Sequence, residues 1–348
     1  MAACACALPA HAKNAILFVA DGLRAVSVTP EAAPTLASLA ERGVRFANSH
    51  ALFPTVTTAN ASAIATGHYL GDTGDYANTL YFGFPLWSHG GAPGTFLESD
   101  AVLGELNSRY RGNYLSEMSL LAAARRSGYA TAVVGKIGAA AIQDVGVFAD
   151  KDLVVIDDVF GRNNGLPVPN AIVAGLQKEK LENRIPDAAV PNVEQQTYLA
   201  DVVTRVLLPQ LKQSGKPFVL VFWSRDPDYT QHNAKDSVGN LSPGINSAAA
   251  AAAIHNADVS LKAILASVKD LDLEETTDIF VTADHGFATV AKTSATSAAL
   301  RPGSATPNDL PVGFLAVDIA AGLNLPLYDM DAGLRAIDYR SEEHTSEL

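Results

Sequence analysis

Apolar residues gather in five short runs along the chain: Asn14–Ala20 (NAILFVA), Ala130–Gly135 (ATAVVG), Asp152–Ile156 (DLVVI), Pro217–Trp223 (PFVLVFW) and Asp278–Thr282 (DIFVT). Runs this short, with almost no polar interruption, read as strands buried on both faces, as in a parallel sheet. Helical spacing fills the gaps between them. Thr35–Arg42 places leucines at 36 and 39 and stops at Gly43, a residue suited to a helix C-terminus. Ser116–Ser127 stops before Gly128, and Val193–Ser214 follows Asn192 with Gln195 three residues on, a helix-start pattern. Ser247–Val268 contains six consecutive alanines, and alanine is the strongest helix former. Strands alternating with helices predict an α/β fold: a doubly wound, mostly parallel sheet with helices on both faces. Tyr81–Gly112 (rich in Gly, Pro and aromatics) and Gly161–Pro191 (rich in Pro and Asn) fit the alternation poorly. They are expected to be surface insertions that shape a pocket. No internal repeat is visible.

Length and composition narrow the function classes. At 348 residues the chain has room for one large α/β domain or two ordinary ones, with an ample core. The net charge of −12 argues against an electrostatic grip on a nucleic-acid polymer. No apolar run approaches the roughly 20 residues of a membrane span. Both cysteines, Cys4 and Cys6, lie at the start, so neither a disulfide scaffold nor a thiolate metal site is expected. Residues 1–12 are small and apolar and end in Ala10-His11-Ala12, the small-x-small pattern of a signal-peptide cleavage site. A periplasmic or secreted protein follows from that reading, with the α/β domain running over residues 13–339. Residues 340–348 (RSEEHTSEL) resemble a translated sequencing adapter and read as a non-native tail on a domain incomplete at its C-terminus.

In open α/β sheets ligands bind beyond the carboxyl ends of the strands, so the residues after each strand carry the chemistry. The first strand ends in Asp21-Gly22, the fourth leads into Asp226-Pro227-Asp228-Tyr229-Thr230-Gln231-His232, and the fifth ends in Asp284-His285-Gly286. Oxygen and imidazole donors without thiolates suit zinc or a similar divalent ion, and five such ligands suffice for two. A hydroxyl cluster, Thr55-Val56-Thr57-Thr58, precedes a helical pattern over Ala59–Ala65. A hydroxyl there would stand in a positive field and could serve as a metal-activated nucleophile. Each piece also has a plainer reading: a turn, a helix cap or a surface ion pair.

Taken together, LFVADGLR (17–24), FPTVTTANASAIATG (53–67), GDYANTLY (74–81), DPDYTQH (226–232) and TADHGF (282–287) resemble the alkaline phosphatase superfamily. The closest branch is the nucleotide pyrophosphatases/phosphodiesterases. The resemblance implies Thr57 as nucleophile, with Thr55 and Thr58 as fallbacks. It implies one zinc on Asp21, Thr57, Asp284 and His285, and a second on Asp228 and His232. It also implies that Asn78 hydrogen-bonds a phosphoryl oxygen; the plainer reading of Asn78 is a capping or turn residue. Lys136 is the one basic residue in the Gly135–Gly138 stretch, where related monoesterases carry two, so it is read as a substrate-binding cation for diesters or else as a solvated strand end. The family's second zinc takes a further histidine downstream, and none occurs between Phe287 and Tyr339. The expected activity is therefore metal-dependent hydrolysis of phosphodiester or pyrophosphate bonds in small nucleotide-type substrates, through a phospho-threonine. The alternatives are a phosphomonoesterase or phosphonate hydrolase on the same site, or a non-catalytic metal/phosphate-binding domain. His50, His68 and His89 lie outside the motif positions; His68, just after Thr66-Gly67, is read as packed or solvent-exposed with substrate contact as the alternative, and His255 receives no role.

Overall fold

The computed structural model describes residues 14–162, 165–237, 244–289, 296–299, 310, 314–329 and 335–337. The proposed leader (1–12) and the tail (340–348) lie outside the described residues. In chain order the elements are β1 (Asn14–Ala20), α1 (Pro34–Arg42), α2 (Thr57–Thr66), α3 (Leu70–Thr73), β2 (Thr79–Leu86), β3 (Ala92–Phe96), α4 (Asp100–Arg109) and α5 (Leu120–Arg126). There follow β4 (Ala130–Gly135), α6 (Ala139–Gln143), β5 (Val154–Asp157), α7 (Asn170–Lys178), α8 (Val193–Asp201), α9 (Leu208–Gln213), β6 (Phe218–Ser224) and α10 (Asp228–Asn233). The last are α11 (Ala248–Asp270), β7 (Thr277–Thr282), α12 (Phe314–Leu323), β8 (Leu327–Asp329) and β9 (Arg335–Ile337).

The five apolar runs form one sheet in the order β5-β4-β6-β1-β7, with every neighbouring pair parallel. Side chains alternate between two cores, as the two-residue repeat of a strand requires. Ile16, Phe18, Leu220 and Phe222 point to the face covered by α1, α8 and α11. Val19, Val133, Val221 and Trp223 point to the face covered by α2, α4 and α6. Phe18 and Phe222 stack across the β1–β6 pair with ring centroids 5.4 Å apart. Registers match at the carboxyl edge: Ala20 pairs with Ser224, Val19 with Thr282, and Gly135 with Trp223. Residues just past each strand therefore meet along one line. β7 is an edge strand, and Phe280 and Val281 on it are exposed.

Several elements differ from the sequence pattern for identifiable reasons. The helix expected over Ser116–Ser127 starts at Leu120, because Ser119 caps it by accepting a hydrogen bond from the Ala122 N–H at 3.2 Å. The long helix over Val193–Ser214 forms, but it widens into a π segment at Val202–Leu207. Pro209 stands two residues past its end, and a proline inside a helix removes a donor and crowds the turn before it. The alanine run becomes α11, capped by Ser247, and Asp258 on it caps α1 through the Thr35 and Leu36 N–H groups.

Neither expected insertion is a bare loop. Residues 81–112 carry most of the β2–β3 hairpin and all of α4, which bury Leu86, Leu97, Leu103 and Leu106 in the second core. Gly83, Pro85 and the Gly90-Gly91 pair hide that regularity by interrupting the alternation. Residues 161–191 contain α7 and bury Ile172, Leu176 and Ile185 in the first core.

Candidate active site

Asp21, Thr57, Lys136, Asp228, Asp284 and His285 converge at the carboxyl edge of the sheet, where Thr57, Lys136, Asp228 and His285 line a cavity of about 590 Å³. The convergence follows from the shared register of β1, β4, β6 and β7. It also needs close backbone approach at two glycines. Gly22 has φ +69°, and a Cβ on it would lie 3.0 Å from Asp228 Cβ. Gly138 has φ +74°, and a Cβ there would come within 2.6 Å of Glu98 Cα. Left-handed backbone of this kind favours glycine.

Each buried carboxylate spends one oxygen on the protein and keeps the other without a hydrogen-bond partner. Asp284 Oδ1 accepts the Gly22 N–H at 3.1 Å and the His285 N–H at 2.9 Å, and Oδ2 is unpaired. Asp21 Oδ2 accepts the indole N–H of Trp223 at 2.8 Å and lies 3.2 Å from Lys136 Nζ, while Oδ1 is unpaired. Asp228 Oδ2 accepts from Lys136 Nζ at 3.2 Å, and Oδ1 has no hydrogen bond. Oxygens left bare in this way are costly without a cation. One ligand atom from each of Asp21, Asp228 and His285 falls within 4.8 Å of the others. The donor set thus fits a divalent ion.

The electrostatics agree. Burial pushes the Asp21 carboxyl up to about 6, with Lys136 opposing and Asp228 adding to the rise. Burial likewise pushes Asp284 up to about 7, reinforced by the neighbouring Asp21 charge. For His285 burial works against the charged ring, but Asp284 and Asp21 outweigh it and raise its pKa. For Lys136 burial opposes the ammonium, and the charges of Asp21, Asp228 and Glu98 hold it well above the ordinary range. The pocket carries more negative than positive charge. His285 Nδ1 lies 2.6 Å from the Gly286 carbonyl oxygen. A carbonyl can only accept, so Nδ1 donates, and in the neutral ring Nε2 is left as the lone-pair atom facing Thr57 at 3.2 Å and Asp284 at 3.4 Å.

Of the three threonines only Thr57 enters this cluster. It is 2% exposed, opens α2, and its Oγ1 accepts from Lys136 Nζ at 3.1 Å. Thr58 Oγ1 is turned to Asp75, the Ala77 carbonyl and Asn78. Thr55 is exposed at the cavity wall. Asn60 clamps the preceding loop, donating to the carbonyls of Leu52, Pro54 and Val56. Asn78 Oδ1 accepts the Thr58 N–H at 2.8 Å, so it caps α2. Its amide nitrogen faces Glu98 at 3.5 Å on the cavity wall. His232 stands at the rim, 59% exposed, with Nε2 3.3 Å from Asp228 Oδ1 and its ring edge-on to Phe287.

The structure adds residues that the sequence did not single out. Glu98 Oε1 lies 3.2 Å from Lys136 Nζ. Arg225 lines the cavity, pairs with Asp158 at 2.9 Å and lies over the Tyr229 ring. Lys136, read as either a substrate cation or a solvated strand end, is 4% exposed.

Behind α2, Asp75 accepts hydrogen bonds from Thr58 Oγ1 at 3.2 Å and Tyr114 OH at 3.1 Å. Burial pushes its carboxyl up to about 7 against the pull of both hydrogen bonds. The folded state therefore binds a proton that the unfolded chain releases near pH 4. Stability from this group is complete below about pH 4 and falls as pH rises to about 7. Asp75→Asn removes the titration. Relative to the parent, the variant is expected to gain about 2–3 kcal/mol between pH 5 and pH 8. Thermal melts of both proteins at the two pH values check this, and a pH-independent difference would refute it.

A family model described as type I phosphodiesterase / nucleotide pyrophosphatase matches residues 15–319. No curated protein matches the chain. Among solved structures it is similar to phosphonoacetate hydrolase from Sinorhizobium meliloti 1021 in complex with phosphonoformate, at 20% identity and TM-score 0.52, over 81% of this chain and 58% of that one. It is also similar to murine ectonucleotide pyrophosphatase/phosphodiesterase 5, as an inactive variant with AMP, at 16% identity and TM-score 0.48, over 79% and 57% of the two chains. The chain thus spans less than two thirds of the length of these structures, and the first supports the fold.

Proposed function

Because the chain belongs to the type I phosphodiesterase / nucleotide pyrophosphatase family, we propose that it hydrolyses phosphodiester or pyrophosphate bonds in small nucleotide-type substrates through a phospho-threonine at Thr57. The observation that carries the reading is the position of Thr57 Oγ1, in contact with both Lys136 Nζ and His285 Nε2 beside three half-bare carboxylates. Asp21, Asp284 and His285, with Asp228 and His232 adjoining, would hold the divalent ion, for which zinc suits the donors. When bound, that ion would lower the pKa of the nucleophilic hydroxyl and offset charge on the phosphoryl oxygens.

The chain's own residues supply the rest. Lys136 donates to Thr57 Oγ1, which favours the alkoxide over the alcohol. Thr57 gives up its hydroxyl proton to solvent, the oxygen attacks phosphorus, a P–O bond forms to Thr57, and the bond to the leaving alcohol or phosphate breaks in line, the leaving oxygen taking a proton from solvent. Water then cleaves the phospho-threonine and restores the hydroxyl. Asn78, fixed by its cap on α2, presents its amide N–H to a phosphoryl oxygen. Lys136 and Arg225 are the cationic side chains at the cavity, and both are already neutralised by carboxylates. Among the described residues a dianionic monoester or phosphonate would find no spare cationic side chain there, which favours a monoanionic diester. Residues 1–12 support delivery to the periplasm or the exterior.

The test is a panel of one diester, one monoester and one phosphonate, assayed on a single preparation before and after chelation. The diester is expected to turn over fastest, to lose activity with chelator and to regain it with zinc. Monoester or phosphonate turnover exceeding the diester would overturn the specificity. Turnover that survives exhaustive chelation would overturn the metal requirement.

A further inference from the structure

We propose that Lys136 is a resident cation of the site: its ammonium stands where a second divalent ion would go, so that the centre binds one such ion and not two. The inference rests on the metal-dependent reading above and changes its count. Its basis is the way the oxygens divide. Lys136 Nζ lies 3.2 Å from Asp21 Oδ2, from Asp228 Oδ2 and from Glu98 Oε1, and 3.1 Å from Thr57 Oγ1. Three carboxylates and a hydroxyl surround it, a shell made for a cation and closed from water, since the residue is only 4% exposed. The oxygens with no hydrogen bond are a different set: Asp21 Oδ1 and Asp284 Oδ2, at 3.6 and 3.4 Å from His285 Nε2, and Asp228 Oδ1, at 3.3 Å from His232 Nε2. Asp21 and Asp228 thus turn one oxygen to the ammonium and one away from it.

Two consequences follow. A second divalent ion on Asp228 would have to share Oδ1, the oxygen that faces His232 Nε2 at 3.3 Å, or displace Nζ from Oδ2. The other donor the resemblance assigns to it, His232, is 59% exposed at the rim. Asp228 therefore joins Asp21 and His285, whose ligand atoms lie within 4.8 Å of its own, around one ion. Lys136 also touches the reacting hydroxyl directly, which makes it a catalytic residue: its N–H donates to Oγ1, and its proton stays on nitrogen throughout.

The pair Gly138 and Glu98 shows how the shell is built. Gly138 admits the Glu98 backbone against the loop after β4, and that contact brings the third carboxylate to Lys136.

The experiment counts ions. The demetallated parent, Lys136→Ala, Lys136→Arg and Asp284→Asn are titrated with zinc by calorimetry, and bound zinc is quantified after dialysis. The parent and Lys136→Arg are expected to bind one zinc per chain. Lys136→Ala is expected to bind two, the ion replacing the lost ammonium among Asp21, Glu98 and Asp228. Asp284→Asn is expected to weaken the parent's single site at least tenfold. Two zinc ions of comparable affinity in the parent would overturn the proposal and leave the metal-dependent reading intact, and this outcome does not depend on any variant folding. A folded Lys136→Ala protein that still binds one ion would also overturn it. No zinc bound by a parent that still hydrolyses a diester would overturn both.

Discussion

Thr57→Ala is expected to reduce kcat for diester hydrolysis by on the order of 10⁴-fold or more, the scale seen when a covalent nucleophile is removed. The geometry leaves no substitute. Thr58 Oγ1 is committed to Asp75, Ala77 and Asn78, and Thr55 is exposed and outside the carboxylate cluster. The fold should hardly register the change. The cap on α2 comes from Asn78 through the Thr58 N–H, and the loss of one hydroxyl and one methyl costs on the order of 1 kcal/mol. Thr57→Ser keeps the oxygen and is expected to keep measurable turnover. Steady-state rates on zinc-loaded parent, Ala and Ser proteins, with matched melting curves, decide it. Undiminished turnover in the Ala variant would remove Thr57 from the mechanism.

Trp223→Ala is expected to be the most damaging single change to stability, costing about 3–5 kcal/mol. Trp223 is fully buried on the α2/α4/α6 face of β6, so truncation leaves a large void between sheet and helices. Its indole N–H also donates to Asp21 Oδ2 at 2.8 Å, so the site would lose a fixed carboxylate together with its support. Trp223→Phe retains most of the packing and isolates that hydrogen bond, with an expected cost of about 1–3 kcal/mol. Urea denaturation of the three proteins separates the two contributions. A loss below 1 kcal/mol in the Ala variant would contradict the packing described.

The sheet and its reactive edge were legible because both are written locally. Two-faced burial leaves uninterrupted apolar runs, as in β6, and each of the five runs became a strand of the sheet, although β7 at its edge exposes Phe280 and Val281. Parallel strands ending in Asp21, Asp284-His285 and the Asp228 turn must deliver those residues to a common side, and they do. Lys136 was harder to read for a physical reason. A lysine at the end of a strand is ordinarily hydrated, and only carboxylates from three distant segments make its burial tolerable. Glu98 escaped notice because it leaves a hairpin whose alternation is broken by Gly83 and Pro85. The π segment at Val202–Leu207 and the late start of α5 are adjustments around Pro209 and Ser119. Helical periodicity over those stretches looks unbroken.

His285 carries part of its own alignment device. The carbonyl that fixes its ring belongs to Gly286, the next residue in the chain, and its backbone N–H is held by the side chain of Asp284, the residue before. The tautomer of the imidazole is thus written into its own tripeptide, while its bearing is borrowed: the Asp284 oxygen that holds the His285 N–H is itself anchored by the Gly22 N–H at the end of β1. Moved to another strand, the tripeptide would carry its tautomer with it and lose that anchor, as Asp21 would lose its distant indole.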